Sequence, residues 1–320
     1  MIIQEKIIDF LKKKQAYISG DAMSERLGIS RQALWKHIQE LKDKGYDIVA
    51  VPHLGYRLIS SPDRLFAFEI KRALRTKFLG SQVHYFEELG STMNVAMQLG
   101  VQGAGEGTLV VAESQRKGRG RLSREWFSPK YKGIYASLIL RPKILPLQAS
   151  ILTLLTAIGI CEAVKAICGL EPRIKWPNDI LMRDKKLGGI LTELNAEMDR
   201  IKFVVIGIGL NVNNEKKSLT EGATSLKAEN KEELSRVGLL QEILLKIEEN
   251  YSVFQKKGAT PIIEKWRQYS VTLGRRVKVH YQKDYVEGQA VDIDSDGGLL
   301  IRTDSGTMEK VMAGDVVHCR

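Results

Sequence analysis

Cysteine is scarce. Cys161, Cys168 and Cys319 are the only three in 320 residues, and no two form a Cys-x-x-Cys pair. Thiols so few and so scattered exclude a disulfide framework and fit a reducing cytoplasm. The start, Met1-Ile2-Ile3-Gln4-Glu5-Lys6, lacks a basic region followed by an apolar core and a small-residue cleavage site, so no secretory leader is predicted. Uninterrupted hydrophobic runs are missing too. The most apolar stretch, Ile144 to Gly169, is broken by Pro146, Gln148, Ser150, Thr153, Glu162 and Lys165, which predicts a buried helix rather than a membrane span. There is no internal repeat, no low-complexity segment and no Gly-x4-Gly-Lys-[Ser/Thr] phosphate loop. Gly207-x-Gly209 also lacks the third glycine of a dinucleotide fingerprint.

What is present is globular chemistry, with 43% hydrophobic and 27% charged residues over a length that predicts two or three domains. The net charge of +11 and pI near 9.4 favour polyanionic partners. Residues 1–64 hold eleven Lys and Arg against eight Asp and Glu, so only +3 of that excess lies there. A nucleic-acid reading must therefore rest on pattern.

The pattern is in the first sixty residues, which read as three short helices and a hairpin closed by the linker Ser60-Ser61-Pro62-Asp63. Ser19 can cap a helix over 21–27, Gly28 supplies a tight turn, and Ser30 can cap a second helix over 31–44. In that second helix Leu34, Ile38 and Leu41 would face inward, leaving Arg31, Gln32, Trp35, Lys36 and Gln39 outside. Arg, Gln and Lys reach base edges and phosphates, so these five are the candidate DNA-binding residues; a helical module for protein contacts is the alternative. Trp35 could pack either way. Strand, turn and strand over 46–59 would form a wing. A helix of this length spans only ~21 Å, so specific binding implies a homodimer on half-sites ~34 Å apart or a multiple of that.

From Leu65 to Tyr269 β-rich runs alternate with helical ones. Strands are predicted over 83–87, 108–113, 134–140, 173–176, 189–194 and 201–212, and helices near 93–99, 147–168 and 239–255. The last fifty residues change to short alternating runs with Asp-Gly-Gly and Ser-Gly turns, which predict a small barrel.

The densest chemical signal is Glu113-Ser114-Gln115-Arg116-Lys117-Gly118-Arg119-Gly120-Arg121-Leu122-Ser123-Arg124-Glu125-Trp126. Five cations and two glycines fall within nine positions, 116 to 124. Glycines let backbone amides approach phosphate, and the cations suit a phosphoryl group under displacement. A solvated basic loop or a second nucleic-acid patch would look the same. Three more segments stand out: Lys175-Trp176-Pro177-Asn178-Asp179, Lys185-Lys186-Leu187-Gly188-Gly189-Ile190-Leu191 and Gly207-Ile208-Gly209-Leu210-Asn211-Val212-Asn213. Each alone reads as a turn, a solvated strand end or close packing.

Together and in this order, the four segments resemble the biotin protein ligase family, specifically its bifunctional members that also repress biotin genes. The resemblance covers nearly the whole chain. It implies an α+β protein with an N-terminal winged helix-turn-helix over 1–62 and a central mixed β-sheet catalytic domain over 63–269. Helices would flank that sheet in the class II synthetase-like manner, and a small C-terminal SH3-like β-barrel would fill 270–320. It further implies that biotin and ATP react, with Mg²⁺ assisting, to biotinyl-5′-AMP and pyrophosphate. A lysine of a biotin carboxyl carrier protein then takes the biotin.

Matching positions imply that Ser91, Thr92 and Gln115 bind the biotin head group, with Gly118, Arg119 and Gly189 close by. Lys186 would touch the biotin carboxylate and the α-phosphate, and Arg121 would hold the loop shut over the adenylate. Trp126 would stack on adenine, Asn178 and Asn211 would bond its edge, Arg124 would lie near the nucleotide, and Asp179 would partner the incoming amine. Ser123 departs from the pattern, standing where some members have another glycine. The adenylate would act as corepressor, favouring a homodimer on operator DNA in the cytoplasm, with no membrane involved. A ligand-sensing regulator without ligase activity, and a ligase for a related acid such as lipoate, are the competing readings.

Overall fold

The computed structural model describes residues 3–14, 16–198, 200–281 and 284–318. Met1, Ile2 and Cys319, on which two of the readings above touch, lie outside the described residues. The chain divides into two compact units, Met1–Arg64 and Leu65–Arg320.

The first unit comprises α1 (Ile3–Lys14), α2 (Gly20–Leu27), α3 (Arg31–Asp43), β1 (Asp47–Val51) and β2 (Gly55–Ser60). The Ser19 hydroxyl accepts from the Ala22 amide and the Ser30 hydroxyl from the Ala33 amide, each at 3.1 Å, so both predicted caps satisfy a helix-end donor. Gly28 closes α2 with φ 66°, a left-handed turn that favours glycine. Leu34, Ile38 and Leu41 are buried, as are Ile7, Ile8 and Leu11 of α1, the helix in contact with α3. The antiparallel β1–β2 hairpin gains a third, one-residue strand where Ile18 bridges Tyr56 through two 2.9 Å bonds. Gly55 makes that approach possible, since a Cβ there would lie 2.0 Å from the Ile18 carbonyl oxygen.

The second unit begins with α4 (Ala67–Arg72), β3 (Val83–Phe86), α5 (Thr92–Val101), β4 (Leu109–Ala112), β5 (Gly133–Leu140) and α6 (Ala149–Cys168). It continues through β6 (Arg173–Lys175), β7 (Asp179–Met182), β8 (Lys185–Ala196), β9 (Ile201–Asn211), α7 (Leu226–Asn230), α8 (Arg236–Lys257) and α9 (Thr260–Tyr269). The seven strands form one sheet in the order β3-β4-β5-β9-β8-β7-β6, antiparallel except for the parallel β3–β4 pair. It is the expected mixed sheet. α6 and α8 pack on one face in the main core, while Met93 and Ala96 of α5 cover Phe203 and Val205 on the other. With both faces covered, β5 is buried at every position, which is why it reads as a continuous apolar run. α6 is long and apolar enough to cross a membrane by length and composition, but 72% of its apolar window is buried among these elements.

The chain ends in β10 (Arg276–Tyr281), β11 (Asp284–Ile293), β12 (Leu299–Arg302), β13 (Met308–Val311) and β14 (Asp315–His318). They make an antiparallel sheet ordered β13-β12-β11-β10-β14. Its buried side chains, among them Val277, Val279, Leu299 and Ile301, belong to the same apolar cluster as the central sheet. The indole N–H of buried Trp176 donates to the Gly297 carbonyl at 3.1 Å, stitching the two sheets together.

Candidate active site

A cavity of about 640 Å³ opens over the middle of the central sheet. Its walls come from the start of α5, the loop between β4 and β5, the facing ends of β7, β8 and β9, the segment before α7 and the start of β14.

The α5 side is a pre-formed polar network. Gln115 Oε1 accepts from the Thr92 amide at 2.8 Å and from the Thr92 hydroxyl at 3.1 Å, while Gln115 Nε2 donates to Ser128 Oγ at 3.0 Å. Ser137 Oγ in turn donates to Thr92 Oγ1 at 2.9 Å. Ser91 is buried beside them, and its hydroxyl has no hydrogen-bond partner among the described residues. A buried hydroxyl without a partner is costly unless a ligand completes it.

The opposite side is ionic. Lys186 Nζ lies 2.7 Å from Asp179 Oδ1 and 5.7 Å from the centre of the Trp126 ring. The backbone fixes Lys186, whose N–H donates to Gly222 and whose carbonyl accepts from Thr224. Arg121 Nη1 donates to Asn178 Oδ1 at 3.1 Å and to the Gly314 carbonyl at 3.2 Å. Burial pushes the Arg121 guanidinium below its ordinary pKa, against the opposing pull of Asp315 and Asp179. Arg124 pairs with Asp315, and Arg119 with Glu193 at 3.2 Å.

The floor is glycine. A Cβ on Gly209 would lie 2.6 Å from the Trp126 ring, so there the indole rests on a seat that only glycine leaves open, while one on Gly189 would make an ordinary contact with it at 3.6 Å. A Cβ on Gly207 would meet Met93 Sδ at 2.6 Å. Close packing, the plain reading of Gly-x-Gly, thus shapes the cavity itself.

Of the residues singled out in the sequence, Ser91, Thr92, Gln115, Arg119, Arg121, Arg124, Trp126, Asn178, Asp179, Lys186, Gly189 and Asn211 all line this one cavity. Gly118 does not. It is buried in the loop, where a Cβ would sit 2.4 Å from the Trp126 carbonyl oxygen and 3.0 Å from Gln115 Nε2, so it allows the loop's close turn. Asn178 Nδ2 donates to the Ile190 carbonyl at 2.8 Å and Asn211 Nδ2 to the Thr224 carbonyl at 3.0 Å. Leu122 and Ser123 both adopt left-handed backbone angles, φ 53° and 58°. The position where a glycine would be expected is therefore one whose conformation favours glycine.

Sequence reasoning missed Ser128, Ser137, Lys217 and Asp315. Ser128 and Ser137 carry no local signal because their role is to hold Gln115 and Thr92. Asp315 reaches Arg124 from the far end of the chain.

In the first unit Arg31, Gln32, Trp35 and Lys36 are exposed and Gln39 is half-buried, all on the outer side of α3. Trp35 takes the outward option, at 56% exposure.

Known proteins are similar to this chain over nearly its whole length. Residues 85–211 fit the model of the biotin/lipoate A/B protein ligase family, residues 3–57 an HTH domain and residues 272–319 the biotin protein ligase C-terminal domain. The bifunctional ligase/repressor BirA of Bacillus subtilis is 42% identical over 312 residues, 96% of this chain and 95% of that protein. The chain belongs to the biotin protein ligase family. Its bifunctional branch extends to the BirA of Escherichia coli, 31% identical over 93% of this chain and 92% of that one. Among solved structures, the biotin protein ligase of Aquifex aeolicus in complex with biotin and ATP superposes with a TM-score of 0.64. It is 30% identical and covers 75% of this chain and 99% of that one. Both the winged helix-turn-helix and the ligase domain of the bifunctional branch are thus present in one chain.

Proposed function

We propose that the cavity binds biotin and ATP side by side and adenylates the biotin carboxylate, and that the helix-turn-helix unit carries the product state to operator DNA. In the first step a carboxylate oxygen bonds to the α-phosphorus as the bond to pyrophosphate breaks. In the second, a carrier-protein lysine amine bonds to the acyl carbon, AMP leaves and the amine sheds a proton.

The observation that carries this reading is Lys186, held on Asp179 at 2.7 Å, in the same cavity as three loop arginines and the Gln115–Thr92 network. An anionic carboxylate needs a cation that can also steady charge building on phosphate, and an ammonium serves both. When biotin arrives its carboxylate replaces Asp179 as the counter-ion of Lys186. The released Asp179 then lies where it can take the proton of the acceptor amine, which must be neutral to attack. The neutral ureido ring of biotin, with donors and acceptors together, suits Ser91, Thr92 and Gln115. Trp126 offers a face to adenine, and Asn178 and Asn211, each with one amide N–H beyond its bond to Ile190 or Thr224, would meet its edge.

Among the described residues no group of three or more His, Cys, Asp or Glu could hold a metal ion. The cavity's Asp179 and Asp315 face Lys186 and Arg124. Such a donor set fits Mg²⁺ that arrives on the nucleotide's phosphates. The acceptor is a biotin carboxyl carrier protein, the compartment is the cytoplasm, and the DNA-bound form is a homodimer favoured by the adenylate.

The test is pyrophosphate release with biotin plus ATP, with lipoate as the competing acid. Biotin should support release and lipoate should not, and Lys186→Ala should slow it by about 10²–10³-fold. Release that is indifferent to Lys186 would remove it from this role.

A further inference from the structure

Between Glu113, which follows β4, and Gly133, which opens β5, the chain makes a nineteen-residue excursion that contains the whole basic loop. At the roots of that excursion lies a fully buried ion pair. Arg236 at the start of α8 and Glu113 are both 0% exposed, with Nη1 2.8 Å from Oε2. The same nitrogen donates to the Gly133 carbonyl at 3.2 Å, so one guanidinium grips both ends of the loop. The other carboxylate oxygen of Glu113 accepts the Leu65 amide at 2.8 Å, and the Glu113 carbonyl accepts from Tyr131 at 3.2 Å.

Nothing in the adenylation chemistry uses this pair. A buried ion pair contributes little net stability over apolar side chains of similar volume, but its bonds are directional where apolar contacts are not. Here the direction matters. Gln115, two residues beyond Glu113, has its amide held between Thr92 and Ser128 with little latitude, and a shift at the root would be felt there at once.

We propose that Arg236, acting through Glu113, is a positioning residue for biotin: it sets the spacing of the loop's two roots and thereby the pose of Gln115. This rests on the reading that Gln115 meets the biotin head group. The experiment is a calorimetric titration of the full chain with biotin, alongside thermal melts, for the unaltered protein, Arg236→Lys, Gln115→Ala and the double variant. Arg236→Lys keeps the charge but not the shared grip, and should weaken biotin binding about tenfold. Because it works through Gln115, the double variant should bind no more weakly than Gln115→Ala alone, a departure from the additivity of independent sites. A lowered melting temperature with unchanged biotin affinity, or effects that multiply, would overturn the proposal.

If Arg236→Lys does not fold, the neutral pair Glu113→Gln with Arg236→Met restores volume without the charges. It should fold and still bind biotin poorly, and binding as tight as in the unaltered protein would equally overturn the clamp. Failure of the unaltered protein to bind biotin is a separate result that would sink the ligand reading first.

Discussion

At Gly209 one absent methyl group makes room for the Trp126 ring. A Cβ at 209 would stand 2.6 Å from the indole, closer than atoms tolerate, so Gly209→Ala must push Trp126 off its seat. The expected outcome is a rise in the KM for ATP with the head unit's fold unchanged, read by steady-state pyrophosphate release and circular dichroism. Arg121 acts at the same scale. Its two bonds, to Asn178 and Gly314, anchor the loop tip over the cavity. A mixed anhydride that is not covered is lost to water and to stray amines. Arg121→Gly should therefore release biotinyl-5′-AMP and label bystander proteins, and a labelling assay that still marks only the carrier would exclude Arg121 from closure.

His318 gives a pH signature. Burial first, then Lys175 and Arg275, lowers its pKa from 6.5 to about 4. The unfolded chain binds that proton at a higher pH than the folded one does. The share of stability that rests on neutral His318 is therefore intact above about 6.5 and falls as pH drops toward about 4. His318→Gln should flatten that part of the curve of melting temperature against pH.

At the scale of elements, α3 stands on three apolar residues. Leu34 is 1% exposed, so Leu34→Ala should destabilise the first unit by about 2–5 kcal/mol, measurable by denaturant melts, and operator binding should fall with it. Lys36→Ala should leave the fold alone and weaken DNA binding evenly across sequences, as a phosphate contact does, with a shallower salt dependence.

These elements also mark what could be read in advance. The helix-turn-helix was legible because caps, turn glycine and apolar spacing all lie within a few residues of one another. α6 and β9 were legible because long runs average out local noise. β7, four residues between a proline turn and the left-handed Arg183-Asp184 turn, is too short to show a period. In the cavity, the residues on recognisable motifs are legible in the sequence, and those on none are not. Asp315, Ser128 and Ser137 join the site through tertiary contacts alone.

At the scale of the whole molecule, a ligase domain and a DNA-binding head lie on one chain, and the proposed link between them is the adenylate, which would accumulate when biotin is plentiful and acceptor is not. Operator affinity should rise with biotin plus ATP relative to the unliganded protein, and equal affinities in a gel-shift titration would reject the linkage. Everything at this scale depends on the cavity making and keeping the mixed anhydride. The direct measurement is native mass spectrometry of the full chain incubated with biotin and Mg·ATP in the absence of carrier protein. One biotinyl-5′-AMP retained per chain, formed far more slowly with Lys186→Ala, is the expected result; a chain carrying biotin and ATP side by side, unreacted, would contradict the account.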